Sequence, residues 1–279
     1  MNRKRSNRFF SFCASLVLAA TVGGKCYAED APVASGAEPT ASAPDARAIL
    51  MGMAQFMAKT PRYSMRVLSA YDSLQDTGEK LEFAAIRRIT VRRPDHLRVE
   101  VEESNGETNQ LLFDGKTLSA FSGDENVYAQ SKQAGDIDAA LKTFVGDLKM
   151  RLPLALLLTE SLPRAFERRV KTVDYVESTT IFGAPAHHLS ARGDTVDFQI
   201  WVSDGPQPLP LRIVLTYRDY KGQPQFRAQF VDWNLAPDTV DAVFAFKPPK
   251  DARKIQFLAR MGSMVALPPA AESLEGEQP

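Results

Sequence analysis

The sequence predicts an exported, mainly β protein with a few helices, built on antiparallel strands. Three observations predict it. A basic cluster at the N-terminus precedes a short apolar run, apolar and polar residues alternate with a period of two beyond Pro61, and clusters of turn-forming residues separate the alternating stretches.

Arg3, Lys4, Arg5 and Arg8 come first, an apolar run from Phe9 to Val22 follows, and Gly23, Gly24 and Ala28 lie just beyond it. That order is a secretory signal peptide. The run is shorter than the roughly 20 residues a membrane-spanning helix needs, and small residues at its end suit a peptidase. Cleavage is expected after Ala28, leaving no transmembrane span. Anchoring as a lipoprotein at Cys26 is disfavoured, because Lys25 puts a long cation where the lipoprotein signal, which resembles Leu-(Ala/Ser)-(Gly/Ala)-Cys, has a small residue.

Removing residues 1–28 takes five of the 34 basic residues and none of the 34 acidic ones, so the remaining 251 of 279 residues carry a formal charge of −5. Nucleic-acid binding, which needs a concentrated basic face, is not expected. Both cysteines, Cys13 and Cys26, leave with the leader, so neither a disulfide nor thiol chemistry is expected.

Residues 29–44 are Ala, Pro, Ser, Gly and Glu with almost no large apolar side chain, a composition that cannot offset the entropy of folding, and they are expected to form a linker. Residues 258–279, with Pro268, Pro269 and an acidic stretch from Glu272 to Glu277, are expected to form a tail. Residues 45–257 between them read as one domain.

Within that domain Asp45 is placed to cap a helix whose apolar residues Ile49, Leu50, Met53, Phe56 and Met57 share one face, and Thr60-Pro61 ends it. Strand periodicity follows. Tyr63, Met65 and Val67 alternate with Ser64 and Arg66, and Leu97, Val99 and Val101 alternate with Arg98, Glu100 and Glu102. Turns are expected at Ser104-Asn105-Gly106, Asp114-Gly115 and Gly123 to Asn126, which folds the stretches around Leu111–Phe113 and Thr117–Phe121 into a four-stranded meander. Glu100, Glu102 and Glu103 read as a solvated face. A second β block begins near Lys171 and includes strands around Val196–Val202, Leu211–Tyr217 and Phe226–Phe230, separated by turns at 192–194, 204–206 and 220–222. Between the blocks, Asp136–Leu148 and Leu152–Leu158 read as helices, the second starting at Pro153. Leu152, Leu154, Leu156, Leu157 and Leu158 leave that second helix no polar side, so it is expected to be buried, as core or as a plug over a cavity.

The catalytic repertoire is thin. His96, His187 and His188 are the histidines, and neighbours in a strand point to opposite faces, so His187 and His188 are poorly placed to share a metal. The methionines Met51, Met53, Met57 and Met65 read as core. No Gly-x-Ser-x-Gly elbow, His-Glu-x-x-His helix or phosphate-binding glycine loop is present. Neither catalysis nor a metal or other cofactor is expected.

Two stretches carry a resemblance. Ile89-Thr90-Val91-Arg92-Arg93-Pro94-Asp95-His96-Leu97 followed by Leu111-Leu112-Phe113-Asp114-Gly115-Lys116-Thr117-Leu118 is similar to the strand, Arg-Pro, strand, Asp-Gly-Lys-Thr-Leu order of the LolA/LolB superfamily of periplasmic lipoprotein carriers. Phe244-Ala245-Phe246-Lys247-Pro248-Pro249 resembles the closing Phe-x-Phe-x-Pro-Pro segment of that superfamily. The likeness covers most of residues 45–257 and is greater still to a group of uncharacterised predicted periplasmic proteins related to the carriers. Tryptophans that the carriers favour are absent here, where Thr90, Val91 and Ser119 stand.

The resemblance implies a curved antiparallel sheet forming an incomplete (half) β-barrel covered by short helices, with acyl chains of a lipid or lipoprotein held on the concave face. It places Arg93 at the cavity mouth, hydrogen-bonded to the lid. Met65, Val67, Leu97, Val99, Leu111 and Phe113 from the strands, with Leu154 and Leu157 from the insert, are then the expected lining. A periplasmic binding or carrier protein is the leading expectation. The alternative is an envelope regulatory or assembly module that uses the same fold to bind a protein partner.

Overall fold

Asp45 begins the fold as its sequence position predicts. Its backbone is extended (φ −68°, ψ 102°), its carboxylate accepts a hydrogen bond from the Ala48 amide at 3.0 Å, and helix α1 runs from Ala46 to Lys59. Ala46, Leu50, Met53, Ala54 and Met57 form the buried stripe. Thr60 ends the helix in an extended conformation, and its hydroxyl donates to the Phe56 carbonyl at 2.7 Å. This computed structural model describes residues 44–147 and 154–256. The expected leader, the linker up to residue 43, the start of the second insert helix at Leu152 and Pro153, and the tail beyond Gln256 lie outside the described residues.

Six strands follow α1 as a continuous antiparallel meander: β1 (Arg62–Leu74), β2 (Lys80–Arg92), β3 (His96–Glu103), β4 (Thr108–Asp114), β5 (Thr117–Ser122) and β6 (Val127–Lys132). The four expected from Leu97 onward are β3 to β6; they are joined by β1, whose alternation the sequence also shows, and by β2, whose first half from Lys80 to Ala84 is exposed on both faces and so shows no alternation of burial. The three expected turns form where the sequence places them. Gly106 (φ 91°) and Gly115 (φ 84°) supply left-handed residues, and a Cβ on Gly115 would meet Asp95 Oδ2 at 2.8 Å.

After the insert come β7 (Thr172–Ile181), β8 (Ala184–Arg192), β9 (Val196–Ser203), β10 (Pro210–Tyr217) and β11 (Gln225–Asn234), each paired antiparallel with the next. Strand β11 then pairs with β1, so the two blocks become one sheet in the order β12-β6-β5-β4-β3-β2-β1-β11-β10-β9-β8-β7. Its two ends do not pair with each other, and the curved sheet stays open. Register shifts at Ser64/Arg66, Tyr175/Glu177 and Pro210/Arg212 are irregularities of the kind that bend strands. The exception to the antiparallel rule is β12 (Arg253–Lys254), which runs parallel to β6.

The insert departs from the expected two helices. Helix α2 covers Ile137–Lys142 and gives way to a π-helical turn over Thr143–Asp147. Leu154 is left-handed (φ 68°), which a continuing α-helix cannot accommodate, and Ala155–Leu158 form one 3₁₀ turn. An unforeseen helix α3 spans Leu162–Arg169, with Leu162, Ala165 and Phe166 buried. The Asp138 carboxylate accepts the amides of Glu160 (2.8 Å) and Ser161 (2.9 Å), tying the two ends of the insert together.

The convex face of β3 to β6 is covered by the segment from Val240 to Phe246. Phe244 is fully buried with its ring edge-on to His96 (centroids 5.1 Å), and Phe246 lies 5.4 Å from Tyr128 and 6.1 Å from Phe121. Arg98 Nη1 donates to the Val243 carbonyl at 2.9 Å. This is the Phe-x-Phe segment singled out by its sequence, and it acts as a strap on the outside of the sheet.

The β1/β11 junction is held by an ion pair with a testable pH dependence. Asp72 accepts hydrogen bonds from Arg227 Nη1 (2.8 Å) and the Gln225 amide (3.0 Å), with Lys80 Nζ at 4.0 Å. Burial alone would raise the Asp72 carboxyl, but these hydrogen bonds and positive charges outweigh it and hold the group below the usual carboxylate range. A group depressed in the folded state contributes stability above its unfolded value, and that contribution is lost as pH falls below about 4. Asp72→Ala is expected to cost about 2 kcal/mol at neutral pH. Urea unfolding should show the gap between wild type and variant narrowing at about pH 3, and a gap independent of pH would refute the assignment.

Candidate functional site

Alternate residues of the central strands face the concave side. Tyr63, Met65, Val67, Ser69 and Tyr71 of β1 sit opposite Val91, Ile89, Arg87, Ala85 and Phe83 of β2, and Val67, Ser69 and Tyr71 sit opposite Phe230, Ala228 and Phe226 of β11. Leu97, Val99 and Val101 of β3, then Phe113, Leu111 and Asn109 of β4, continue the surface. Most of these side chains are buried, although no second sheet lies over them. Helix α1 crosses this face and packs on α3, on the 3₁₀ turn and on β7 to β9. Arg47 Nη2 pins its first turn to the carbonyls of Val170 and Lys171, both at 3.1 Å.

Leu154, Leu157 and Leu158 reach down from the 3₁₀ turn onto Met65, Val67, Ile89 and Phe230, and Arg87 completes the lining. The hollow they leave is about 10 Å³, room for one water-sized sphere. A pocket for a whole ligand usually needs about 300 Å³ or more. Among the described residues this hollow is too small for an acyl chain, and Leu154, Leu157 and Leu158 rest on the apolar strand residues expected to line a cavity.

Met65, Val67, Leu154 and Leu157 line the hollow itself. Leu97, Val99, Leu111 and Phe113 are buried in the same apolar cluster without bordering the hollow. Arg93 lies elsewhere, between the last turn of α1 and the end of the insert. Its Nη2 donates to the Met57 carbonyl at 3.1 Å, and Nη1 is 4.0 Å from Glu160 Oε1. A cation there complements the unpaired carbonyls at the helix C-terminus. The Arg93-Pro94 peptide is cis.

Tyr63 lies beside this arginine. Its ring is fully buried 5.9 Å from Trp233, and its hydroxyl has no hydrogen-bond partner among the described residues. Burial pushes the phenol up to about 12, against a weaker downward pull from the Arg93 charge. The folded protein thus keeps a proton that the unfolded chain releases near pH 10. Stability is intact below that value and falls as pH rises towards about 12, by about 3 kcal/mol in all. Tyr63→Phe is expected to keep full stability at neutral pH and to lose this alkaline component. In urea unfolding the variant should exceed wild type by about 2 kcal/mol near pH 11.5 and match it at about pH 9. Parallel alkaline curves would contradict the burial of an un-ionised phenol.

Sequence reasoning missed two polar residues on this face. Arg87, which the sequence reading does not single out, is 2 % exposed. Glu103, expected on a solvated face, has a side chain only 13 % exposed and lies 4.0 Å from Arg87 Nη2. Burial pushes the Glu103 carboxyl up, with Arg87 pulling it down and Glu107 adding to the rise. Strand parity held the signal: Arg87 shares the face of Ile89 and Val91, and Glu103 that of Val99 and Val101.

The family model described as "Predicted periplasmic protein (DUF2092)" matches residues 46–258. This is a group of the kind that the sequence motifs resemble. No curated protein matches. Among solved structures, LprF from Mycobacterium bovis is 15% identical with a TM-score of 0.43, the match covering 75% of this chain and 98% of that one. The LolA superfamily protein NE2245 from Nitrosomonas europaea is 14% identical with a TM-score of 0.40, covering 72% and 97%. The lipoprotein LppX from Mycobacterium tuberculosis is 12% identical with a TM-score of 0.41, covering 70% and 99%.

Proposed function

Because the chain belongs to the DUF2092 family of predicted periplasmic proteins, we propose that it is a periplasmic binding or carrier protein that holds the acyl chain of a lipid or lipoprotein on the concave face of its sheet. The observation that supports this reading is the leucine turn. A segment of one 3₁₀ turn lays Leu154, Leu157 and Leu158 on an apolar sheet surface, and a hydrocarbon tail offers that surface the same chemistry.

Binding then requires displacement. The turn swings away, and the tail takes the place of its side chains on Met65, Val67, Ile89 and Phe230. Exchange keeps the affinity moderate, because each buried methylene contributes about 0.8 kcal/mol and much of that gain is offset by exposing the leucines. Arg93 holds α1 in the closed state through Met57.

Native mass spectrometry of protein purified from its own periplasm, repeated after organic extraction, tests the proposal. The expected result is a mass increment that extraction removes and that fragments to acyl ions. Protein that carries no such adduct, and takes none up from added fatty acid, would overturn it.

A second reading rests on a different observation. Strand β7 ends the sheet, and Val176 and Phe182 on β7 and its hairpin are 50 % and 64 % exposed. An exposed apolar edge is a surface on which a protein partner can add a strand. Co-purification of one stoichiometric protein without lipid, lost on Phe182→Lys, would select that reading.

A further inference from the structure

Arg87 is a buried guanidinium on a greasy surface. It projects inward from the middle of β2 between Val67 and Val101 and lines the same hollow as the leucine turn. Nη1 donates to Ser69 Oγ, whose own hydroxyl donates to the Ala85 carbonyl at 3.0 Å. Nε and Nη2 have no hydrogen-bond partner among the described residues. These two nitrogens form one edge of the planar group, the edge that meets two oxygens of a carboxylate or phosphate side by side.

The nearest anion does not fill that edge. Glu103 Oε1 stands 4.0 Å from Nη2, beyond hydrogen-bond distance, and itself lacks a hydrogen-bond partner among the described residues. Orphaned donors on a buried cation are costly, so they call for a reason. Around Arg87 the inner face turns polar, with Ser69 and Glu103 nearby, whereas Met65, Ile89 and Phe230 make the other side of the hollow apolar. The concave face is thus amphiphilic, with a cation at the boundary.

We propose that Arg87 is the head-group site of the hollow: its free Nε/Nη2 edge takes the carboxylate or phosphate of an anionic amphiphile whose tail runs over Met65, Val67, Ile89 and Phe230 in place of the leucine turn. This rests on the acyl-binding reading above and adds the chemistry of the head. In the unliganded state Glu103 balances the charge from a distance, and the arriving anion, held by two short hydrogen bonds, replaces it. A neutral head of the same tail length leaves the edge unfilled and binds less tightly.

The test compares palmitate, hexadecyl phosphate and hexadecanol, which share one tail, by calorimetric titration of the delipidated full chain, with acetate and inorganic phosphate as tail-less anions. Palmitate and hexadecyl phosphate are expected to bind at least about tenfold more tightly than hexadecanol. In Arg87→Gln both anions should fall to the level of the alcohol, whose affinity stays unchanged. Equal binding of all three tailed probes by the wild type would overturn head-group recognition and leave acyl binding standing. Binding of none would remove both. Acetate or inorganic phosphate binding as tightly as palmitate would show a site for free anions and overturn the amphiphile. If Arg87→Gln does not fold, the wild-type ranking still decides, together with the ¹³C-carboxyl resonance of bound palmitate, which should remain that of a carboxylate at lower pH than in free palmitate.

Discussion

Replacing Leu157 and Leu158 together by alanine is expected to lower the unfolding free energy by about 4–6 kcal/mol, and an added fatty acid is expected to restore part of it. Both side chains are almost wholly buried against the hollow, and truncating a buried leucine costs about 2–5 kcal/mol, less than additively for neighbours. For a chain of this size the loss is a fall of roughly 10–20 °C in melting temperature. The enlarged hollow stays apolar, lined by Met65, Val67, Ile89 and Phe230, and such a space takes hydrocarbon in preference to water. Palmitate should therefore raise the melting temperature of the double variant by more than it raises that of the wild type, where it must first displace the leucines. Calorimetric melting with and without palmitate reads both quantities. A variant that melts early and ignores the fatty acid would identify the turn as ordinary core and leave the carrier reading without its moving part.

The strands that carry the hollow were legible because burial on one face leaves a period of two in the sequence. Met65, Val67, Leu97 and Val99 alternate with polar neighbours, and the structure buries all four. Strand β2 was hard to delimit for the opposite reason. Lys80 to Ala84 protrude beyond the cover and bury neither face, so no period is imposed. The insert was misread because a run of leucines gives no periodicity, and Leu154 takes a left-handed backbone that its residue type does not announce. Helix α3 did leave a trace in the spacing of Leu162, Ala165 and Phe166, masked by Arg164, Arg168 and Arg169 on its exposed side.

Arg87 and Glu103 show a different limit. Parity placed each on the inner face, but a charged side chain at an inner position is normally evidence against burial, because desolvating it costs several kcal/mol. Composition pointed outward and register pointed inward, and register won. Residues where local preference and tertiary position disagree concentrate at functional sites. At Arg87 that disagreement coincides with a donor edge left unfilled among the described residues.

Met53→Asp is expected to cost at least about 4 kcal/mol and to uncover the concave face. Met53 is fully buried at the centre of the α1 stripe, where a carboxylate finds no partner in kind, whereas Gln55 on the same helix is exposed. Burying an unpaired charge is among the few single changes of this size, and a surface change such as Gln55→Asp stays within about 0.5 kcal/mol. The sign of the pH dependence follows from burial. The new carboxyl is raised in the folded state, so the deficit relative to wild type should be smaller at about pH 3 and grow as pH rises past about 4. Unfolding in urea at both pH values, with binding of an apolar dye at neutral pH before unfolding, reads both effects. A Met53→Asp protein as stable and as dye-silent as Gln55→Asp would show that α1 does not seal the sheet. The distinction bears on function because the cover is separate from the scaffold. Helix α1 is held by Arg47 to residues 170 and 171 and by Arg93 to Met57, whereas the ladders from β1 to β11 are closed among the strands themselves. Displacing the helix would therefore break no strand pair, a property that the proposed loading and release of a hydrocarbon tail requires.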